Sequence, residues 1–67
     1  MILIESKAIE ALGYDVDEKE MHVKFHSGKT YVYESVSQNT FNSFVIAPSA
    51  GSFYHEKISG KYDCYEV

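Results

Sequence analysis

Tyr31 and Tyr33, two positions apart, and the run Ser49-Ala50-Gly51-Ser52 are the residues of this chain best suited to hold a ligand. Tyrosines on alternate positions of a strand present both rings on one face. Such rings can stack a nucleobase, which contributes about 1–3 kcal/mol per base. The plainer alternative is that they are core residues whose hydroxyls reach the edge of the domain. Ser49-Ala50-Gly51-Ser52 reads as a helix start, where backbone N–H groups turn outward and glycine permits a phosphate to approach closely. That arrangement needs no basic side chain; the alternative is an ordinary serine cap. Tyr54 offers a further ring, and His55 or Lys61 the nearest side-chain donors. The expected ligand-binding set is therefore Tyr31, Tyr33, Ser49, Gly51, Ser52, Tyr54, His55 and Lys61.

Other constellations lead elsewhere. His22 and His26 are four apart, which on a strand separates them by about 13 Å and prevents them from sharing an ion. His55 and Cys64 supply two ligands, and two make no closed zinc site. The carboxylates gather at residues 15–20, a pattern of a solvated acidic turn rather than a general acid/base pair. No serine stands in a nucleophile-elbow context. The expectation is no metal, no cofactor and no enzyme.

Charge narrows the partner. Ten acidic residues face six lysines, arginine is absent, and the formal net charge is −4. A protein that tracks a nucleic-acid backbone neutralises several phosphates with a basic stripe. Here Lys7, Lys19, Lys24, Lys29, Lys57 and Lys61 fall singly, each near an acid. A nucleotide or a short single-stranded RNA, which needs only a few local donors, remains compatible.

These side chains need elements to position them. Met21, Val23 and Phe25 alternate with His22, Lys24 and His26, the period of a half-buried strand. After Ser27-Gly28 the run Lys29–Glu34 alternates again and is rich in strand-forming types. A two-residue turn pairs Phe25 with Thr30; a three-residue loop with Gly28 left-handed pairs Val23 with Tyr31 and Met21 with Tyr33. The second register sets apolar against aromatic and is preferred. Lys7–Asp15 is ambiguous, since Ala8, Ala11 and Leu12 make a helical stripe while Ile9, Ala11 and Gly13 alternate. Ser37 is a good N-cap, with Val36 before it and Phe41 at the fourth helical position, the spacing of a hydrophobic staple. Pro48 closes that helix, Ser49 caps another, and Gly60 stops it. The expected fold is α+β: a three-stranded antiparallel β-meander near residues 8–15, 20–26 and 29–35, then two short helices near 38–46 and 50–59.

The length of 67 residues allows one domain, spanning 1–67, with a marginal core. Cys64 is the only cysteine, so no internal disulfide supports it. Small scaffolds without disulfide or metal commonly self-associate, and a homo-oligomer is expected. One thiol and no signal-like stretch indicate a cytoplasmic location, and Met1–Ile4 is too short to span a membrane.

The string Ala8-Ile9, Gly13-Tyr14-Asp15, Phe25-x-x-Gly28-x-x-Tyr31-x-Tyr33, Val36, Ala47-x-Ser49-x-Gly51 and Ile58-x-x-x-Tyr62 resembles the KTSC family over residues 4–63. That family is named for the lysyl-tRNA synthetase C-terminal domain and also occurs as a stand-alone bacterial or phage protein. The resemblance implies a small β-plus-helix domain, turns Ile9–Asp15 toward a strand, and implies a role in RNA binding. Ala50 and Ser52 stand where relatives often carry Lys or Arg, and His55 where Asn is usual. The expected function is a non-enzymatic binding module for a nucleotide or short RNA. The alternative is a phage-type acidic inhibitor of a host protein, or a homo-oligomer that sequesters nucleotides.

Overall fold

The computed structural model describes residues 1–67. The strands are β1 (Ile2–Leu3), β2 (Ile9–Asp15), β3 (Glu20–Phe25), β4 (Thr30–Tyr33) and β5 (Cys64–Glu66); between β4 and β5 come α1 (Gln38–Val45) and α2 (Ala50–Phe53). The chain continues from α2 into a single π turn over Tyr54–Ile58. All five strands join one antiparallel sheet in the order β1-β2-β3-β4-β5.

The meander read from alternation is the middle of this sheet, and the count of three strands is corrected to five. β1 and β5 close its two edges, with Ile2 opposite Leu12 and Cys64 opposite Tyr33. Both are too short to show a period of their own, so pairing with a preformed neighbour defines them. The β3–β4 hairpin adopts the three-residue loop: Gly28 has φ +98°, and Val23 faces Tyr31 while Met21 faces Tyr33.

Residues 9–15 form a strand, and a bulge explains why they read equally as a helix. Ile9 pairs with Phe25 and Ala11 with Lys24, leaving Glu10 as an extra residue. The bulge shifts the pleat by one position, so Ile9 and Leu12, three apart, are both fully buried. A spacing of three is a helical signature when no bulge intervenes.

Both helix caps form as expected. Ser37 Oγ accepts from the N–H of Thr40 at 3.1 Å, and Ser49 Oγ from that of Ser52 at 3.2 Å. Val36 and Phe41 join the core together with Ile9, Leu12, Met21, Val23, Tyr33, Phe44, Ala50 and Ile58. Tyr14 ties the sheet to α1: its ring stacks on Phe41 with centroids 5.1 Å apart, and its hydroxyl donates to the carbonyl of Val36 at 2.6 Å. On the opposite side of the sheet Lys24 pairs with Glu10 at 3.3 Å, and Tyr65 donates to Glu20 at 3.3 Å. No helix is long and apolar enough to cross a membrane.

Candidate ligand-binding site

Because β3 and β4 pair in the aromatic register, Tyr31 and Tyr33 both lie on the helix side of the sheet. Tyr33 is only 3% exposed. The π turn brings Tyr54 over it, and the two hydroxyls bond to each other at 2.7 Å. Their rings meet edge to face at 6.1 Å. Phe25 completes the group, with its ring at 5.4 Å from Tyr54 and 6.0 Å from Tyr31, both near perpendicular. Such edge-to-face packing is favoured by the ring quadrupoles. Burial, and secondarily the bond to Tyr54, push the Tyr33 hydroxyl far above its usual range, so it stays neutral. Tyr31, Tyr54 and Phe25 are half-buried and leave an aromatic rim above Tyr33.

The start of α2 is elsewhere. Ser49 Oγ accepts from Ser52 N–H and donates to Ser52 Oγ at 3.1 Å, while the Phe53 N–H bonds the Ser49 carbonyl at 3.0 Å. Ser49 and Gly51 line a hollow of ≈300 Å³ whose far wall is Glu5, Ser6, Lys7 and Ala8 from the β1–β2 connection. None of the three tyrosines contributes to it. Gly51 is expected to be sensitive to substitution, because a side chain would block close approach of a ligand or strain the turn. The fold removes the second reason, since a Cβ there meets nothing within 4 Å and the residue is helical. Lys61 lines a third place, a hollow of ≈380 Å³ shared with Glu34 and Asp63. His55 is exposed on the π turn next to Tyr54. The expected set thus divides: Tyr31, Tyr33 and Tyr54 come together with His55 adjoining, and Ser49, Gly51 and Ser52 cap α2 away from them.

Sequence reading missed two contributors. Phe25 belongs to the aromatic group, and its position on the same face as Tyr31 was legible in the alternation. A groove of ≈340 Å³ between α1 and the π turn is lined by Asn39, Thr40, Ser43, Phe53, Lys57 and Tyr62. Its signal in the sequence is the pair of four-residue spacings Asn39/Ser43 and Phe53/Lys57, which place each pair on one helical face.

The model of the KTSC domain matches residues 5–62. A protein of Tsukamurella paurometabola is 36% identical over 59 residues, covering 88% of each chain. An uncharacterized protein of Stutzerimonas stutzeri is 29% identical over 55 residues, covering 82% of this chain and 78% of that one. The crystal structure of a KTSC domain protein from Yersinia pestis superposes with a TM-score of 0.94 at 31% identity, covering 97% of this chain and 92% of the other.

Proposed function

This chain belongs to the KTSC domain family, and we propose that it is a non-catalytic binding module for a nucleotide or a short single-stranded RNA. The observation that carries the reading is the aromatic rim of Phe25, Tyr31 and Tyr54, whose rings are held edge to face above the buried Tyr33. Rings already fixed by packing lose little freedom when a base stacks on them. The resemblance to a lysyl-tRNA synthetase C-terminal domain adds weight to RNA as the polymer. The start of α2 faces Glu5–Ala8, and His55, adjoining Tyr54 on the π turn, supplies a side-chain donor for a phosphate. Few charges are neutralised, so affinity falls gently with salt. The test is calorimetric titration with mononucleotides and short RNA at two salt concentrations, on the parent and on Tyr31→Ala. Binding that weakens about 5- to 150-fold in a folded Tyr31→Ala protein supports the reading, from the stacking contribution of about 1–3 kcal/mol. Absence of binding by any nucleotide or RNA overturns it.

A second reading has its own observation. Met1, Ile2, Leu3 and Val16 are exposed along the β1 edge, beside the acidic Asp15, Asp17 and Glu18. An apolar strip on an open sheet edge suits a protein partner or another copy of the chain. This favours the acidic, phage-type inhibitor or nucleotide-sequestering homo-oligomer in the cytoplasm. A solution mass above 7.6 kDa that collapses to the monomer in Leu3→Glu supports it; a monomeric parent removes the oligomer.

A further inference from the structure

The geometry points to a second binding site, the groove between α1 and the π turn, which takes a planar heterocyclic ring carrying an anionic group: the chemistry of a mononucleotide. It rests on the preceding reading only for the choice of nucleotides as the ligand class. Three features converge there. Phe53 stacks on the fully buried Phe44, with centroids 5.0 Å apart and ring planes 22° from parallel, and remains half-buried itself. A flat ligand entering the groove meets Phe53, already fixed by that stack, with Tyr62 at the same groove. Asn39 and Ser43, on the exposed side of α1, supply an amide and a hydroxyl that can both donate and accept, as the edge of a base requires.

Charge is the third feature. Of the four hollows in the surface, this one alone is lined by a lysine without a carboxylate. Glu5 accompanies Lys7 at the start of α2, Glu34 and Asp63 accompany Lys61, and the hollow beside β1 is lined by no charged side chain. Lys57 forms no ion pair within the chain, so its ammonium is free to meet a phosphate. The volume of ≈340 Å³ falls within the range of small-molecule sites.

The π turn forms one side of this groove. Its closing bond runs from Ser59 N–H to the Tyr54 carbonyl at 2.8 Å, one residue wider than an α turn. Tyr54 packs against the sheet and Ile58 is buried, while Phe53 and Lys57 line the groove. Turns of this kind recur at functional sites.

The experiment is an amide-resolved NMR titration with adenosine, adenosine monophosphate and uridine monophosphate, on the parent, Lys57→Gln, Phe53→Leu and Tyr31→Ala. Shifts centred on Asn39, Ser43, Phe53 and Lys57 are expected. Lys57→Gln should weaken the monophosphates about three- to fivefold and leave adenosine unchanged, the effect of one exposed charge pair. Phe53→Leu, which keeps the site apolar, should weaken all three roughly tenfold. Shifts confined to Phe25, Tyr31 and Tyr54 and abolished by Tyr31→Ala overturn the groove and leave the aromatic rim standing. Equal monophosphate affinity in Lys57→Gln and the parent overturns it as well, and so does the absence of shifts with all three ligands.

Discussion

Two aromatic groups flank the second helix, and they are built in opposite ways. Under the π turn Phe25, Tyr31, Tyr33 and Tyr54 meet edge to face, and the two hydroxyls that face inward bond each other at 2.7 Å. On the other side Phe44 and Phe53 lie nearly parallel, and Phe53 borders an open groove beside the unpaired Lys57. In the first group the Tyr33 and Tyr54 hydroxyls satisfy each other, which ties β4 to the π turn and leaves Phe25 and Tyr31 at the rim. In the second Phe53, stacked on Phe44, also borders open space, and Lys57 beside it forms no ion pair within the chain. Counting aromatic residues therefore does not locate a binding surface; the direction of each ring and the state of its polar neighbours do.

The sharpest way to break this contrast is truncation on each side. Tyr33→Ala removes a nearly buried ring from the centre of the core, and large aromatic truncations of that kind cost about 3–5 kcal/mol. A domain this small has about that much stability in all, so the variant should be largely unfolded by circular dichroism at 25 °C. Lys57→Gln, at an exposed position with no partner, should stay within about 0.5 kcal/mol of the parent in urea unfolding. Comparable losses at the two positions would show that the groove is structural too.

A smaller effect separates the hydroxyl pair from the rings. Unfolded tyrosine ionises near pH 10, whereas Tyr33 in the fold holds its proton well above that, chiefly through burial. The folded state therefore keeps a proton that the unfolded state loses. Its contribution is complete below about pH 10 and declines as pH rises further, by up to about 1.4 kcal/mol per unit. Tyr33→Phe should flatten that alkaline decline in unfolding titrations. At neutral pH Tyr33→Phe and Tyr54→Phe should each cost about 1 kcal/mol, and the double variant less than their sum, because both partners of one bond have gone.

Much of this architecture was legible because local chemistry decides it. Gly28 selects the three-residue loop, and that loop sets which faces of β3 and β4 coincide, hence the placing of Tyr31 and Tyr33. Ser37 and Ser49 cap their helices where their hydroxyls reach a free N–H. The bulge at Glu10, the π turn at Tyr54–Ile58 and the edge strands were not legible, since each is settled by contacts distant in sequence. The bulge answers the need to bury both Ile9 and Leu12. The π turn accompanies the packing of Tyr54 on Phe25 and Tyr33. Cys64–Glu66 is a strand because Tyr31–Tyr33 offers an edge to pair with. The same long-range settlement explains the division of the expected ligand set: Ser49 and Tyr54 are five apart in sequence, yet the helix between them turns Ser49 to the β1–β2 connection and Tyr54 to the sheet.

A small effect of the opposite sign tests that division directly. Gly51 sits in the first turn of α2, its φ is not positive, and an added Cβ meets nothing within 4 Å. Gly51→Ala therefore adds no clash, and it removes conformational freedom from the unfolded chain, which stabilises a compatible site by about 0.4–1 kcal/mol. In a domain of this length that corresponds to a rise in Tm of roughly 2–8 °C. If the aromatic rim and the groove act without the start of α2, nucleotide affinity should be the same in Gly51→Ala as in the parent. A methyl at that position does, however, stand where a phosphate would come closest to the Ala50 and Gly51 amides. A variant that melts higher yet binds tenfold more weakly would mean that a ligand bridges from Tyr54 back to Ser49. The aromatic rim and the helix start would then be one surface, divided in the unbound fold and joined by what it holds.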